Sequence, residues 1–337
     1  MADIARDLGI TKVAVSKALA GHLDISEATR KRVAERAREL GYLPNTTWRT
    51  LRFNRSHLIG IVVPSVIDSF FSEMVEGVTR VLDKTPYQAI LAVSGEQPER
   101  EVREIEALMG RQVEGLIVAS CQQRDGLGIF ERIARRGLPL VLADRQIEKL
   151  DGCFVGVDNL ALGRMVTEHL IARGRKRIAH LRGPDTSPAI LRARGCEAAL
   201  AAAGIKVPPG YIAGGGETRE IVVPAMRALL QRRDRPDAIF AYNDLTAVEA
   251  FRVIAAAGLR VPGDIALAGV GNNRYSDIFA APLTTVDQSP QLMGQRAAGL
   301  VLKWLSARRR PERSEVNLAV RLIVRESSGG RELKKDQ

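Results

Sequence analysis

From Leu58 onward, short apolar runs alternate with amphipathic segments, and this alternation restricts the fold more than any other feature of the chain. Leu58–Val63, Gln88–Val93, Glu114–Ala119 and Leu138–Ala143 are apolar at successive positions, as strands of a parallel sheet must be when helices cover both faces. Segments 70–83, 98–110 and 127–136 carry helical apolar spacing between them. The pattern repeats after Asp158, with strands near Arg177–Leu181, Ala238–Ala241 and Ile265–Gly269 and helices near 160–173, 189–203, 219–232 and 244–257. Leu283–Asp287 reads as a crossing segment, followed by a helix over 290–306. The spacing therefore predicts an α/β body of two lobes with parallel sheets. Ligands of such sheets bind beyond the carboxyl ends of the strands.

The first 43 residues follow a different period. Ile4, Ala5 and Leu8 share one face of a short helix that Gly9 can stop. Thr11 is placed to cap a second helix through about Leu19, with Val15 and Leu19 turned back to the first and Ala5 small enough for a close crossing. A third helix runs from Ser26 as cap to Leu40, with Val33, Ala37 and Leu40 on its inner face, and Gly41 ends it. Two short helices around a glycine-containing turn form a helix-turn-helix. The outward face of the second carries Lys12, Val13, Ser16 and Lys17, groups of a size to touch base edges and phosphates.

Charge agrees with that reading. The chain carries a net +11, and residues 1–55 hold eleven Lys/Arg against six Asp/Glu. A disproportionate share of the excess thus lies in the head and the basic segment that follows it, as a polyanion-binding module requires.

The stretch Asp3-Ile4-Ala5, Gly9-Ile10-Thr11, Val15-Ser16-Lys17-Ala18-Leu19, Ile25-Ser26, Thr29-Arg30, Val33, Leu40-Gly41-Tyr42 and Pro44-Asn45 closely resembles the head of the LacI/GalR repressor family. The resemblance continues through Ser56–Pro64 and, more loosely, to about Arg325. It implies a small all-α head, residues 1–43, a hinge at 44–57, and a body at 58–325 shaped like the periplasmic sugar-binding proteins, with a polar tail at 326–337. One lobe is expected to comprise 58–157 plus 288–306, the other 158–287 plus 307–325. The function implied is a transcriptional regulator, a repressor by resemblance, that binds a pseudo-palindromic operator as a homodimer under the control of a small-molecule effector. Thr11, Lys12, Val13, Ser16, Lys17, Ser26, Thr29, Tyr42 and Asn45 are the DNA contacts implied in the head.

Residues 44–57 are basic and amphipathic but too short to make a stable helix alone. The resemblance implies a hinge that becomes helical on the operator, with Leu51 wedged into the minor groove and Arg52 and Trp48 beside it. Several positions depart from the family. Trp48 replaces a small residue, Ala20 replaces a frequent asparagine, and Lys17 stands where arginine is usual. A lysine is a point charge where arginine would grip guanine with two bonds, so reading of that base should be looser. The chain also begins about three residues later than the family's heads, so either its start is misassigned or the head makes fewer phosphate contacts.

In the body the resemblance points to Phe70 and Phe71 after the first strand, Asp144-Arg145 after the fourth, Arg192 as the main effector anchor, Asn243 and Asp244, Asn272, and Gln288 on the crossing segment. Asp244 opens a helix, so it is a candidate helix cap as well as a ligand carboxylate. The family's aspartate is replaced by Gly271 in Gly269-Val270-Gly271-Asn272. With Arg145 and Arg192 nearby, this predicts a cleft poor in negative charge and an effector such as a sugar acid.

No catalytic constellation assembles. His22, His57, His169 and His180 are isolated, with no metal-ligand spacing. Cys121, Cys153 and Cys196 form no Cys-x-x-Cys pair and read as small buried residues of a reducing compartment. Gly214-Gly215-Gly216 lacks the Gly-x-Gly-x-x-Gly spacing of a dinucleotide site. Neither a cofactor, a metal nor a membrane is expected, and with no apolar signal segment at its start the chain is expected to be cytoplasmic. The rival readings are a sugar-binding transport protein and a sugar-modifying enzyme with a basic extension. The first would need an export signal and no head; the second would need a polar triad or a metal set.

Overall fold

The computed structural model describes residues 1–19, 22, 24–42, 55–122, 126–148, 150, 152–307 and 314–329. The chain divides into two compact units, Met1–Ser56 and His57–Gln337. Among the described residues no helix is long and apolar enough to cross a membrane.

In the first unit, α1 (Ala2–Leu8) ends on Gly9, whose φ of 64° is the left-handed conformation that glycine adopts without steric cost. Helix α2 (Lys12–Leu19) starts where the Thr11 hydroxyl accepts the Ala14 amide at 3.1 Å. Helix α3 (Glu27–Glu39) starts where Ser26 accepts from the Thr29 amide. Ile4, Ala5, Val15, Ala18, Val33 and Ala37 form the core of this unit, and Leu8, Ile10, Leu19, Ile25 and Tyr42 pack against it. Leu40 does not join them as expected. It is the residue after the last turn of α3 and is 43% exposed, because the chain leaves the helix there.

The second unit has two sheets. Strand β1 (Leu58–Val63) leads to α4 (Ser69–Leu82), then β2 (Gln88–Val93), α5 (Pro98–Gly110), β3 (Gly115–Val118), α6 (Gly128–Arg135), β4 (Leu140–Ala143) and β5 (Cys153–Val157). The chain then crosses into α7 (Asn159–Ala172), β6 (Ile178–Arg182), α8 (Ser187–Ala202), β7 (Ile212–Gly214), α9 (Arg219–Gln231), β8 (Ala238–Ala241), α10 (Asp244–Ala256) and β9 (Ala266–Ala268). It returns through β10 (Thr285–Asp287) to α11 (Pro290–Ala307), β11 (Glu315–Leu318), β12 (Arg321–Ile323) and a single 3₁₀ turn at Glu326–Ser328. The first sheet has strand order β11-β5-β4-β3-β1-β2 and the second β7-β6-β8-β9, and every pairing within them is parallel. β10 and β12 form a separate antiparallel ribbon.

Two terminal expectations fail. Segment 307–325 does not belong wholly to the second lobe, because β11 pairs with β5 at the edge of the first sheet. The alternation of β11 is too weak, and the strand too short, to assign it from sequence. The start of the polar tail is also not a surface appendage. Ser327 and Ser328 are fully buried: the Ser327 hydroxyl donates to the Leu267 carbonyl and accepts the Thr284 amide, while Ser328 meets Thr284 and His169. Four saturated polar contacts hold a segment whose composition alone reads as solvated. Cys121, Cys153 and Cys196 are buried, and among the described residues no disulfide joins them.

Each lobe is closed by a glycine-to-backbone helix crossing. A Cβ on Gly294 of α11 would lie 1.9 Å from the Met74 carbonyl oxygen of α4, and one on Gly77 would lie 2.1 Å from that of Gln291. In the second lobe Gly163 of α7 and Gly195 of α8 meet the Arg192 and Leu160 carbonyls in the same way. This second crossing fixes the helix that bears Arg192 directly against the start of the lobe.

Candidate functional site

Hydrogen bonds and charge interactions link residues beyond the carboxyl ends of β1 (Asp68), β2 (Glu96), β4 (Asp144 and Arg145), β8 (Asn243) and β9 (Asn273) across a cleft between the lobes, where open parallel sheets arrange their sites. Asp68 caps α4 by accepting the Phe70 amide at 3.0 Å. Phe70 and Phe71 follow it, edge to face at 5.1 Å, both buried in the first-lobe core. The Arg145 guanidinium lies over the Phe71 ring, 5.6 Å from its centroid, so Phe71 serves both the core and the cleft floor. Arg145 is buried and binds Glu96 through two bonds, Nη1–Oε2 at 2.8 Å and Nη2–Oε1 at 2.5 Å. Its Nε and the Oδ1 of buried Asp144 have no hydrogen-bond partner among the described residues.

The second lobe contributes Arg192 from α8. Its Nε donates to Asn159 Oδ1 at 2.9 Å, its Nη1 to the Tyr242 carbonyl at 2.8 Å, and its guanidinium lies 4.9 Å from the Tyr242 ring centroid. Asn243, the residue after β8, caps α10 through its Oδ1, which accepts the Thr246 amide. Its Nδ2 reaches Glu217 Oε2 at 2.7 Å and, across the lobes, Asp68 Oδ2 at 3.4 Å. Asn273 Nδ2 also crosses to Asp68 Oδ1 at 3.2 Å and donates to the Tyr275 hydroxyl, while its own Oδ1 is buried without a partner. Gln288, on the return crossing, is buried with an unpartnered Nε2.

Backbone strain gathers at the same place. Of six non-glycine residues with positive φ among the described residues, Glu96 (58°), Asp144 (64°), Asn272 (50°) and Ser289 (52°) stand just after strands or at the crossing. Such conformations persist where packing over-determines them, as around binding sites.

Two sequence expectations change here. Asp244 is not a ligand carboxylate. It is fully buried, its Oδ2 accepts the Asn273 amide and the Ser276 hydroxyl, and its Oδ1 accepts the Thr285 hydroxyl. It staples the loop after β9 to β10, and the cap of α10 is Asn243 rather than Asp244. Asn272 is committed in a similar way, accepting from Arg325 Nη2 and donating its amide to Thr285.

The cleft is also not poor in negative charge. Asp68, Glu96, Asp144 and Glu217 face Arg145 and Arg192, so the carboxylate missing at Gly271 is more than replaced. The ground for expecting a sugar acid is thereby removed. Burial raises the carboxyls of Asp68 and Asp144 above the ordinary range, against the pull of Arg192 and Arg145. Burial first, then the charges of Glu96 and Asp68, raise Glu217 to about 7. Burial works against the Arg145 charge, but the paired Glu96 outweighs it and moves that guanidinium further up.

Asp68, Glu96, Asn159, Glu217, Tyr242, Asn273 and Tyr275 were not singled out by the sequence. A signal existed for one of them. The run Gly214-Gly215-Gly216 passes through φ values of 87° and 143°, conformations open to glycine, and so turns the chain after β7 to deliver Glu217.

In the head, Thr11, Lys12 and Val13 are exposed at the start of α2, Val13 at 65%, while Ser16 and Lys17 are half-buried along the same helix. Lys17 Nζ pairs with Asp24 at 2.5 Å, a contact that the sequence reading did not include. Both partners are substantially exposed, so exchanging Asp24 for a base or phosphate costs little. The hydroxyls of Ser26 and Thr29 are 2.9 Å apart at the cap of α3, and Tyr42 packs on the core while its amide donates to the Ala37 carbonyl. Asn45, Trp48, Leu51 and Arg52 lie outside the described residues.

The comparisons with known proteins bear on both units. Residues 1–45 match the family model for bacterial regulatory proteins of the lacI family, and residues 167–328 match the periplasmic binding protein-like domain. The HTH-type transcriptional repressor CytR of Escherichia coli K12 is 32% identical over 303 residues, 90% of this chain and 88% of CytR. A solved complex of the transcriptional regulator CelR with cellobiose is 31% identical with a TM-score of 0.73, covering 96% of this chain and 98% of that one. The lac repressor dimer bound to operator and the anti-inducer ONPF is 26% identical with a TM-score of 0.83, covering 97% of this chain and 98% of that one. With a helix-turn-helix head, a two-lobed body and relatives that are transcription regulators along nearly its whole length, this chain belongs to the LacI family and is a DNA-binding transcriptional repressor, not an enzyme.

Proposed function

We propose that the repressor's hold on its operator is set by a small, hydroxyl-rich ligand bound between the two lobes. The observation that carries this reading is the set of buried polar atoms left without partners in one cleft: Asp144 Oδ1, Arg145 Nε, Asn273 Oδ1 and Gln288 Nε2. Buried polar groups are satisfied as a rule, and several orphans lining the same space are a site built for an absent hydrogen-bonding group. Phe71 and Tyr242 give it apolar walls, each held under a guanidinium. The cellobiose bound to CelR supports a carbohydrate-like ligand class.

Asn243 and Asn273 bond across the lobes to Asp68, so a ligand that engages both sides alters the relation between the lobes. The sign of control depends only on which lobe arrangement the ligand binds more tightly. A homodimer reading a pseudo-palindrome is supported by the lac repressor dimer on its operator. DNA contact is assigned to Thr11, Lys12, Val13, Ser16 and Lys17, with Leu51 as the hinge wedge. Thermal-shift screening of the full chain against sugars, followed by gel shift with each hit, tests the reading. A hit that stabilises wild type, fails on Arg192→Met and changes operator affinity is expected. Hits that bind both proteins equally would refute the cleft.

A further inference from the structure

The charge of the cleft selects among ligands. Four carboxylates, Asp68, Glu96, Asp144 and Glu217, share it with the guanidiniums of Arg145 and Arg192. Glu96 already occupies Arg145 in a two-bond pairing, the geometry an anionic ligand would need. Arg192 is likewise occupied by Asn159 and the Tyr242 carbonyl. An acidic ligand would therefore place a further negative charge beside carboxyls that burial already raises, and would compete with Glu96 for Arg145. A neutral ligand would leave those carboxyls raised, whereas a cation bound beside them would favour their ionised form.

The unmet atoms point the same way. Asp144 is 4% exposed and its Oδ1 has no hydrogen-bond partner among the described residues, although its Oδ2 lies 3.9 Å from Arg145 Nε and Arg192, Arg145, Asp68 and Glu96 all act on it electrostatically. Asn273, 3% exposed, presents a second unmet oxygen, and its orientation is set by Asp68, because exchanging the oxygen for the nitrogen would break the bond to that carboxylate while the Tyr275 hydroxyl can bond either atom. Glu217 shares the single Asn243 side-chain amide with Asp68, which also accepts from the Phe70 backbone amide and from Asn273 Nδ2. An ammonium supplies three donors, no acceptor and one positive charge. The unmet Nε of Arg145 and Nε2 of Gln288 are donors and suit hydroxyl oxygens instead.

We infer that the effector is an amine-bearing polyol, an amino sugar or a related aminated compound, whose ammonium is held by Asp144 with Asp68 and Glu217 while its hydroxyls meet Arg145 and Gln288. This rests on the cleft being the effector site and narrows the ligand to a cationic class.

The test uses the full-length protein and matched probes: the 2-amino-2-deoxyhexoses and 1-amino-1-deoxysorbitol, the corresponding hexoses and sorbitol, and the corresponding sugar acids. Each is titrated by calorimetry and thermal shift against wild type, Asp144→Asn, Glu217→Gln and Arg192→Met. The expected result is saturable binding of at least one amine, at least tenfold tighter than its deaminated counterpart. That preference should shrink at least tenfold in Asp144→Asn and fall in Glu217→Gln. Binding of only neutral sugars or acids to wild type, lost in Arg192→Met, would overturn the amine and leave the cleft standing. Amine binding unchanged in Asp144→Asn, Glu217→Gln and Arg192→Met would overturn the cleft as well. Absence of saturable binding by every probe would overturn the amino-polyol assignment.

Discussion

Replacing Arg192 by methionine keeps most of the side-chain volume and removes one buried charge. The lost contacts are the bonds to Asn159 Oδ1 at 2.9 Å and to the Tyr242 carbonyl at 2.8 Å, and the stacking on Tyr242 at 4.9 Å. Hydrogen bonds from a charged donor contribute about 1.5–3 kcal/mol each. Removing one member of a buried charge set costs about 3–5 kcal/mol, because the other members stay buried and unpaired. These figures describe the same cation and are not summed, so the expected loss is about 3–5 kcal/mol at pH 8. The groups left exposed to the loss are Asp144 and Asp68, whose carboxyls burial already raises and Arg192 holds down. In the variant they rise further. A carboxyl whose folded pKa lies above its unfolded value loses stability as pH rises through the folded pKa, so the deficit should be full near pH 8 and smaller near pH 5. Urea unfolding of wild type and Arg192→Met at both pH values, followed by circular dichroism, measures this directly. Adding Asp144→Asn should return about 1–3 kcal/mol of coupling. A deficit under about 1 kcal/mol at pH 8, or one independent of pH, would refute the account of Arg192 as the counter-charge of the cleft.

Gly163→Ala places a methyl 2.3 Å from the Arg192 carbonyl oxygen, so α7 and α8 must part. The expected loss is about 1–3 kcal/mol or more, with weaker ligand binding because Arg192 moves, read by thermal melts and calorimetry. Glu217, raised from 4.5 to about 7, makes the folded state less stable as pH climbs from below 4.5 through about 7. Glu217→Gln should therefore be more stable than wild type by about 1–3 kcal/mol at pH 8 and lose that advantage by about pH 4; a pH-independent difference in urea midpoints would contradict the assignment. Lys17→Ala breaks a pair whose side chains are 43% and 52% exposed, so stability should change by less than about 1 kcal/mol. Gel shifts over a salt series should nonetheless show weaker operator binding with a shallower salt slope, and an unchanged slope and affinity would remove Lys17 from the interface.

Much of this protein can be read from local pattern. The periodicity locates β1, β2 and β8 at their observed limits, and the core helices to within a few residues, because apolar period is a property of neighbouring residues. The head is legible for the same reason: Gly9, Thr11 and Ser26 act within a few residues of themselves. Arg192, Asp144, Arg145 and Gln288 are named through motif resemblance; Arg192 and Arg145 both act electrostatically on Asp144, and Gln288 is buried on the return crossing. What sequence could not give is the assignment of polar groups to tasks. Asp244 and Asp144 are both aspartates after short apolar strands, yet one is saturated by Asn273, Ser276 and Thr285 and the other keeps an unmet oxygen. The partners of Asp244 lie far away in the chain and are decided by how the loop after β9 and the strand β10 close on it. The cleft's net charge is likewise a sum over Asp68, Glu96, Asp144 and Glu217, which stand on four separate segments. Alternation of apolar runs determined the lobes and the head, because burying apolar surface is a local and additive demand. Only the tertiary structure decided which buried charges share a space, because electrostatic pairing depends on distance through the folded molecule and not along the chain.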